Sequence, residues 1–227
     1  MNRKVIITGD FKAACKDYHF LLSREYPERG SLKMTGDRYR LSRDQRSVLY
    51  RGISSGPVSA ARNARLIMPA PHMQLVIDGY NVLFTILNYR LGRMVFISTD
   101  GILRDAGSLH GKLRDDTLFQ EGIEDLFQTI APINPVSVEL FLDSPVTSSR
   151  RHCHLIGQKL SDFGLPGTCT LGHSADQEIR TLNTGVLASS DTELIGTTTI
   201  PVVDLARLVL ENRYGAEFFR LQKLLEE

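Results

Sequence analysis

The sequence predicts an α/β fold, in which a parallel sheet carries helices on both faces and follows a small basic α-helical region. Short, continuous apolar runs alternate with helical stretches from Gln74 onward, as in a sheet that is covered on both faces. Before that point the apolar residues recur at helical spacing, and positive charge dominates. We expect the basic helical region at residues 1–68 and the α/β domain at residues 72–227.

The basic region is predicted to form two or three short helices. Its first helix is indicated by apolar residues at helical spacing, namely Phe11, Ala14, Cys15, Tyr18, Leu21 and Leu22. Residues 42–45 have the form of a capping box and begin a second helix. Pro69-Ala70-Pro71 is typical of a boundary, and it lies just before the α/β region.

The charge of the chain is divided unevenly along its length. Residues 1–65 contain 14 Lys and Arg against 6 Asp and Glu, a balance of +8, whereas residues 66–227 contain 13 against 20, a balance of −7. A basic segment beside an acidic one suggests a surface for a polyanion next to a site that favours cations. Simple attraction between the two halves is the other interpretation.

The α/β region is predicted to alternate strands and helices. The expected strands are Gln74–Asp78, Val136–Leu142, Thr168–Leu171, Gly185–Ser189 and Thr199–Val203, and the expected helices are Thr117–Ile130, Ser149–Phe163, Ala175–Leu182 and Leu205–Asn212. Residues 83–114 interrupt this pattern, since apolar runs at 84–87 and 94–97 suit a hairpin and a long loop follows. A last amphipathic stretch, Ala216–Leu225, is expected to pack on the core or on the basic region.

Nearly every predicted strand ends on a carboxylate or is followed by one. These residues are Asp78, Asp143, Asp176, Asp191 and Asp204. Because ligands of an open parallel sheet bind beyond the carboxyl ends of its strands, we expect the side chains to converge. Oxygen ligands without His or Cys select Mg²⁺ or Mn²⁺, which can activate water against a phosphodiester. For Asp143 and Asp204, helix capping is an equally good interpretation.

Three of these motifs resemble those of PIN-like and NYN nucleases. Residues 77–81, Ile-Asp-Gly-Tyr-Asn, are similar to the opening strand, in which a small residue and Asn follow the first aspartate. Residues 174–176, Ser-Ala-Asp, resemble the third acidic position at a helix start. Residues 189–194, Ser-Ser-Asp-Thr-Glu-Leu, resemble the Ser-Gly-Asp-Ser-Asp-Phe turn. With its basic leader the chain also resembles an uncharacterised prokaryotic family of two domains of unknown function, the second of them PIN-like.

The resemblance covers residues 74–212 and implies a Rossmann-like PIN fold that acts as an Mg²⁺- or Mn²⁺-dependent endoribonuclease. The implied catalytic and metal-facing carboxylates are Asp78, Asp143, Asp176 and Asp191, with Asn81, Ser189 and Ser190 as supporting polar groups. Two positions differ from the nuclease pattern, since Ser190 replaces Gly and Glu193 replaces Asp. They motivate an alternative, a non-catalytic RNA- or nucleotide-binding module, and a metal-dependent phosphatase is a third hypothesis.

Further substrate-binding candidates lie outside these motifs. Ser149, Arg150 and Arg151 stand at a predicted helix start, where hydroxyls, guanidinium groups and free backbone amides favour phosphate. Arg104 and Lys112 lie in the long loop and could clamp phosphates. The competing interpretation is that these Arg and Lys side chains are ordinary solvated surface residues.

Other classes of protein are disfavoured by the sequence. Cys15, Cys153 and Cys169 form no C-x-x-C pair, so we expect reduced cysteines and neither a disulfide framework nor a zinc knuckle. No P-loop motif occurs. The apolar runs are too short for a membrane span and no signal-peptide pattern opens the chain, so we expect a cytoplasmic protein whose partners are RNA and, in an open alternative, a second copy of itself.

Overall fold

A computed structural model describes residues 6–107 and 116–226 and divides the chain into two compact units. Unit 1 comprises Met1–Ala64, Asn88–Ser108 and Phe218–Glu227. Unit 2 comprises Arg65–Leu87 and Leu109–Glu217. Unit 1 therefore combines the basic leader with two later segments that the sequence pattern assigns to the α/β region.

The helices and strands of the described residues are numbered in chain order. The helices are α1 (Gly9–Ser23), α2 (Glu28–Arg38), α3 (Arg43–Gly52), α4 (Gly56–Asn63), α5 (Gly79–Arg90), α6 (Asp116–Ile130), α7 (Ser149–Asp162), α8 (Ala175–Arg180), α9 (Thr192–Thr197), α10 (Leu205–Tyr214) and α11 (Lys223–Glu226). The strands are β1 (Gln74–Asp78), β2 (Val95–Ile97), β3 (Leu103–Asp105), β4 (Ser137–Asp143), β5 (Gly167–Gly172), β6 (Val186–Ala188), β7 (Val202–Val203) and β8 (Phe219–Arg220). A 3₁₀ turn, Ala131–Ile133, follows α6.

Two helices of unit 1, α1 and α3, begin at side chains that cap them. The Thr8 hydroxyl accepts a hydrogen bond from the Phe11 amide at the start of α1. The predicted capping box of α3 is confirmed, because the Gln45 amide donates to Ser42 Oγ at 3.2 Å and the Ser42 amide donates to Gln45 Oε1 at 3.0 Å. Each cap satisfies amides that a helix start would leave without partners.

A three-stranded sheet and the helices share the core of unit 1. Strand β2 pairs antiparallel with β3 and parallel with β8. The core consists of Ile6, Phe11, Ala14, Cys15, Tyr18, Leu41, Val48, Leu49, Ile53, Met94, Phe96, Ala106, Leu221 and Leu224. The amphipathic stretch at Ala216–Leu225 therefore supplies two core residues and a strand to the unit that contains the basic region.

Unit 2 is built on a five-stranded parallel sheet in the order β5-β4-β1-β6-β7. Helices flank this sheet, which confirms the predicted α/β, Rossmann-like architecture. The chain runs outward from β1 through β4 to β5 and then returns to β6 on the other side of β1. In such sheets the crevice for a ligand lies where the direction reverses, at the carboxyl ends of β1 and β6.

The predicted hairpin at residues 84–87 and 94–97 is wrong in its first arm. Residues 84–87 belong to α5, where residues 82–88 are all buried. A helix buried on every side shows no polar face, so its apolar run is indistinguishable from that of a buried strand. The second arm does form a strand, β2, but its partners are β3 and β8.

Two further expectations concern cysteines and membranes. Cys153 on α7 and Cys169 on β5 form a disulfide with Cα atoms 5.5 Å apart, so the expectation of reduced cysteines is wrong for this pair. Packing of α7 beside β5 brings them together, which the sequence spacing does not show.

Among the described helices, none has both the length and the apolar character that crossing a bilayer requires.

Candidate active site

Four aspartates lie at the carboxyl edge of the parallel sheet in unit 2. Asp78 ends β1 and Asp143 ends β4. Asp176 is the second residue of α8, which follows β5, and Asp191 is the N-cap of α9, which follows β6. Because these four strands are parallel and adjacent, their carboxyl ends lie at one edge of the sheet, and the four aspartates stand at or just after these ends.

Asp78 is the most buried carboxylate of this group, with 1% of its surface exposed. Its Oδ2 accepts hydrogen bonds from Asn81 Nδ2 at 2.5 Å and from Ser189 Oγ at 2.7 Å. Its Oδ1 is also buried and has no hydrogen-bond partner within the described residues. A buried carboxylate oxygen in this condition is costly unless a proton or a cation accompanies it.

The surroundings of Asp78 favour its protonated form. Burial is the main cause that raises the pKa of Asp78 to about 7, and the negative charges of Asp176 and Asp191 raise it as well. The hydrogen bonds from Ser189 and Asn81 favour the ionised form, but their effect on the pKa is smaller than that of burial. The Asp78 carboxyl group therefore gains or loses a proton close to neutral pH.

Asp176 shares this electrostatic environment. Its side chain is half-buried, and burial, Asp191 and Asp143 raise its pKa, while the charge of Arg180 lowers it. Arg180 also lies 3.6 Å from a Glu193 carboxylate oxygen. Sequence reasoning missed Arg180, although its position four residues after Asp176 on one helix could have revealed it.

Asp143 combines its place at the edge with a structural bond. Its Oδ1 accepts a hydrogen bond from the Ala175 amide at 2.8 Å, at the start of α8. Beneath it, the hydroxyl of Tyr80 lies 3.0 Å from Nδ1 of the buried His152. Burial and the charge of Asp143 raise the pKa of Tyr80, so this phenol stays protonated. No sequence pattern indicates the Tyr80–His152 pair.

Two other strand-end aspartates act as helix caps. Asp191 Oδ1 accepts from the amides of Glu193 at 2.9 Å and Leu194 at 2.8 Å, at the start of α9. Asp204 Oδ1 accepts from the Arg207 amide at 3.2 Å and caps α10. Helix capping therefore explains why an aspartate stands at position 204. Asp191 also contributes charge to the site, as the pKa shifts of Asp78 and Asp176 show.

The supporting polar residues hold the carboxylates in place. Asn81 lies in the first turn of α5, three residues after Asp78. Ser189 follows β6, and its Oγ accepts from the Asp191 amide at 3.0 Å while it donates to Asp78. Ser190 is buried beside it. One hydroxyl therefore connects the carboxylate of Asp78 to the backbone of the turn that carries Asp191.

The start of α7 presents cations to solvent near the same edge. Ser149 is buried, and its Oγ donates to the Ser144 carbonyl at 2.9 Å, so this hydroxyl holds the turn that follows β4. Arg150 and Arg151 are exposed. The helix begins six residues after Asp143, at the same edge of the sheet. The two guanidinium groups are therefore candidates for contact with a substrate phosphate.

Arg104 does not occupy the surface position that the sequence suggests. It lies in unit 1 with 1% of its surface exposed, and it donates to both carboxylate oxygens of Asp100 at 2.8 and 2.9 Å. It also donates to Ser98, and Arg62 lies 3.5 Å from the same Asp100. Arg104 is therefore not placed to clamp a phosphate. Lys112 lies outside the described residues.

The described residues contain no ready-made metal site of protein ligands alone. Across residues 6–107 and 116–226, no group of three or more His, Cys, Asp or Glu side chains is close enough to hold one ion. Mg²⁺ commonly keeps several waters and binds one or two carboxylates together with substrate phosphates. The donors present at this edge, all of them oxygen, suit that mode of binding.

Comparison with known proteins identifies the family. Residues 70–208 match the family described as "Domain of unknown function (DUF5616)", and residues 10–65 match that described as "Protein of unknown function (DUF434)". An uncharacterised protein of Methanocaldococcus jannaschii is 25% identical over 201 residues, which cover 87% of this chain and 95% of that protein. No solved structure matches the chain. Because the first match spans more than half of the sequence, the chain belongs to the DUF5616 family.

Proposed function

We propose that unit 2 is an Mg²⁺- or Mn²⁺-dependent endoribonuclease that hydrolyses phosphodiester bonds at the acidic edge of its sheet. The observation that carries the proposal is the carboxylate of Asp78. It is buried at the point where the sheet order reverses, its Oδ1 has no hydrogen-bond partner within the described residues, and three other aspartates lie at the same edge. A divalent cation would satisfy this oxygen and offset the accumulated negative charge.

The residues at this edge fit such an ion. Asp78 offers its unbonded Oδ1, and Asp176 offers a half-buried carboxylate. Asp143 and Asp191 each keep a second oxygen beside the one that accepts backbone amides. A bound Mg²⁺ or Mn²⁺ would supply an activated water and stabilise charge on the phosphate.

The protein groups around Asp78 have a positioning role in this proposal. Asn81 and Ser189 both donate to Oδ2, so they hold that oxygen in place and leave Oδ1 for the ion. Asp176 has a raised pKa and can take up a proton near the reacting water more readily than an ordinary carboxylate. Arg150 and Arg151 would bind the RNA backbone.

The direct test is cleavage of a mixed RNA pool by the purified full chain, with Mn²⁺ or with EDTA. We expect metal-dependent cleavage that Asp78→Asn and Asp191→Asn abolish. Asp204→Asn is the matched control, since Asn also caps helices and only the charge is removed. Cleavage that is equal in EDTA, or equal in Asp78→Asn and the wild type, refutes the proposal.

A second candidate function is a binding module for RNA or nucleotides without turnover. It is favoured by the engagement of Asp143 and Asp191 in backbone hydrogen bonds, together with Ser190 and Glu193 at positions where nucleases carry Gly and Asp. It predicts RNA affinity with steep salt dependence and no product. A metal-dependent phosphatase is the third candidate, and a panel of small phosphate esters separates it from a ribonuclease. A cytoplasmic location and a homodimer stay predictions.

A further inference from the structure

The outer face of α1 in unit 1 carries an aromatic side chain that the packing of the unit does not explain. The buried residues of this helix are Phe11, Ala14, Cys15 and Tyr18. At 3.6 residues per turn, Phe20 lies on the face opposite Phe11 and Tyr18. Its side chain is 57% exposed. A phenyl ring in this place contributes little to the core and is available for an external contact.

Two cations flank Phe20 at one helical turn on either side. Lys16 and Arg24 are both exposed, and neither forms an ion pair with any residue the structure describes. Arg24 Cζ lies over the Phe20 ring, 5.2 Å from its centroid, so this cation already contacts one face of the ring. The nearby Asp17 is already engaged, because Tyr39 donates to it at 2.7 Å and Arg38 lies 3.7 Å away. The face of Lys16, Phe20 and Arg24 therefore keeps a positive charge around an exposed ring.

We propose that this face, the Lys16–Phe20–Arg24 surface, binds single-stranded RNA. A base stacks on the face of the Phe20 ring that Arg24 does not cover, and the two cations contact phosphates on either side of that base. Eight residues along a helix span roughly 12 Å, so the cations are separated along the strand while the ring lies between them. Aromatic stacking combined with phosphate neutralisation is the usual basis of sequence-tolerant binding to single strands.

Other occupants fit this surface less well. An amphipathic helix that lies on a membrane presents a broad apolar face, whereas the outer face here offers one ring between charged residues. Protein interfaces have an apolar core with charge largely excluded from it. A polyanion with flat apolar bases matches a ring bordered by two cations. The inference rests on the proposal that RNA is the substrate, but it concerns binding by unit 1.

The test measures binding of the full-length protein to a fluorescein-labelled single-stranded RNA 12-mer by anisotropy, in EDTA so that metal-dependent cleavage cannot interfere. Phe20→Ala should weaken binding by about fivefold to 100-fold, the range found for loss of one base–aromatic stack, whereas Phe20→Tyr should stay within about twofold of the wild type. Lys16→Gln should lower the slope of log K against log salt by about 0.7, the value for one phosphate contact on a single strand.

Matched controls come from the neighbouring helix α2. Met34 is also a large exposed apolar residue, at 53%, so Met34→Ala tests whether any such loss weakens binding. Lys33 pairs with Asp37 at 2.8 Å, so Lys33→Gln removes a cation that is already engaged. Both controls should bind as the wild type does. Thermal unfolding of each variant confirms that the fold is intact, as expected for substitutions at exposed sites.

The outcomes separate this inference from the proposed reaction. If the wild type cleaves RNA but Phe20→Ala binds RNA as tightly as Met34→Ala does, the Lys16–Phe20–Arg24 surface does not bind RNA and the ribonuclease proposal stands. If RNA binds through Phe20 but no metal yields product, the surface stands and the reaction is wrong. Absence of RNA binding by the wild type, or binding to anionic lipid vesicles in its place, overturns the inference.

Discussion

Asp78 is the residue on which the proposed chemistry of unit 2 depends. Its burial opposes ionisation, its neighbours Asp176 and Asp191 oppose it further, and two hydrogen bonds only partly offset these effects. Such a group binds a proton or a cation more strongly when the protein is folded than when it is unfolded. Its pKa therefore affects stability and would affect the affinity for the proposed metal ion, and the two quantities can be measured separately.

Asp78 makes the stability of the metal-free protein depend on pH. Its folded pKa, about 7, lies above the ordinary value of 3.8, so the folded state holds a proton that the unfolded state has released between these values. Stability should therefore be highest below about pH 4 for this group and fall as the pH rises through 7. We expect Asp78→Asn to be more stable than the wild type at pH 8 in EDTA, by on the order of 4 kcal/mol at most, and nearly equal at pH 4.

Thermal unfolding followed by circular dichroism at the two pH values checks this. Adding Mn²⁺ at pH 8 should raise the Tm of the wild type and leave that of Asp78→Asn unchanged. If the difference in Tm between Asp78→Asn and the wild type does not change with pH, the raised pKa of Asp78 is contradicted.

The buried pair of Arg104 and Asp100 gives a second prediction at this scale. Removing Arg104 leaves the buried carboxylate of Asp100 with only the more distant Arg62 as a cationic partner, so Arg104→Ala should lower the free energy of unfolding by about 3–5 kcal/mol. Lys33→Ala breaks an exposed pair and should change it by less than about 1 kcal/mol. Urea denaturation measures both. If Arg104→Ala weakens RNA binding without loss of stability, the role of Arg104 is in recognition and the buried network is not its main function.

Among the elements, β1 and α5 are joined without a loop, and the joint determines the geometry of the site. Gly79 follows Asp78 directly, and a Cβ there would lie 2.5 Å from Leu142 Cδ2 and 3.0 Å from the Phe141 carbonyl oxygen. Only a residue without a side chain allows β4 to approach this turn. The small residue that follows the first aspartate in the motif at residues 77–81 thus has a steric cause.

Gly79→Ala should therefore displace β1 from β4 and move Asp78. We expect a loss of about 1–3 kcal/mol in stability from overpacking and a larger relative loss of RNA cleavage. Gly157→Ala is the control, because a Cβ at this position within α7 would meet no atom within 4 Å. It should stabilise the protein by up to about 1 kcal/mol. Equal effects of the two substitutions would show that the close approach at Gly79 is unimportant.

The elements differ in how well the sequence predicts them. Strands β1 and β4 are predictable because each is a compact apolar run between polar turns, and the aspartates at their ends follow from the parallel order. The disulfide of Cys153 and Cys169 and the pair of Tyr80 and His152 depend on packing between distant segments, which one sequence does not encode locally. For the same reason Arg104 looks like a surface cation until its partner Asp100 is seen.

For the whole molecule, the assembly of unit 1 from three segments matters most. Leu221 is fully buried in its core, and a Cβ on Gly52 would lie 2.1 Å from Leu221 Cδ1, so the late segment packs closely on α3. Strand β8 has only two residues and pairs with β2 from far along the sequence. No local pattern predicts such a pairing, which is why the leader alone was expected to form the first region.

The late segment should accordingly be essential to the basic unit. Leu221→Ala is expected to lower the stability of unit 1 by about 2–5 kcal/mol, since it opens a cavity in the core. Lys223→Ala, at an exposed neighbour, should have little effect. Hydrogen exchange at α1 reports on unit 1 specifically and should become faster in Leu221→Ala only. Unchanged protection of α1 in that variant would show that residues 1–64 are stable by themselves.

The same arrangement imposes an order on folding during translation. Residues 218–227 leave the ribosome only after all of unit 2, and at about 5–20 residues per second the first helices exist for on the order of 10 s without β8. During that interval the apolar surface that will receive Leu221 and Leu224 is uncovered. The nascent chain is thus most exposed to chaperones and to aggregation at its beginning, although that part is made first.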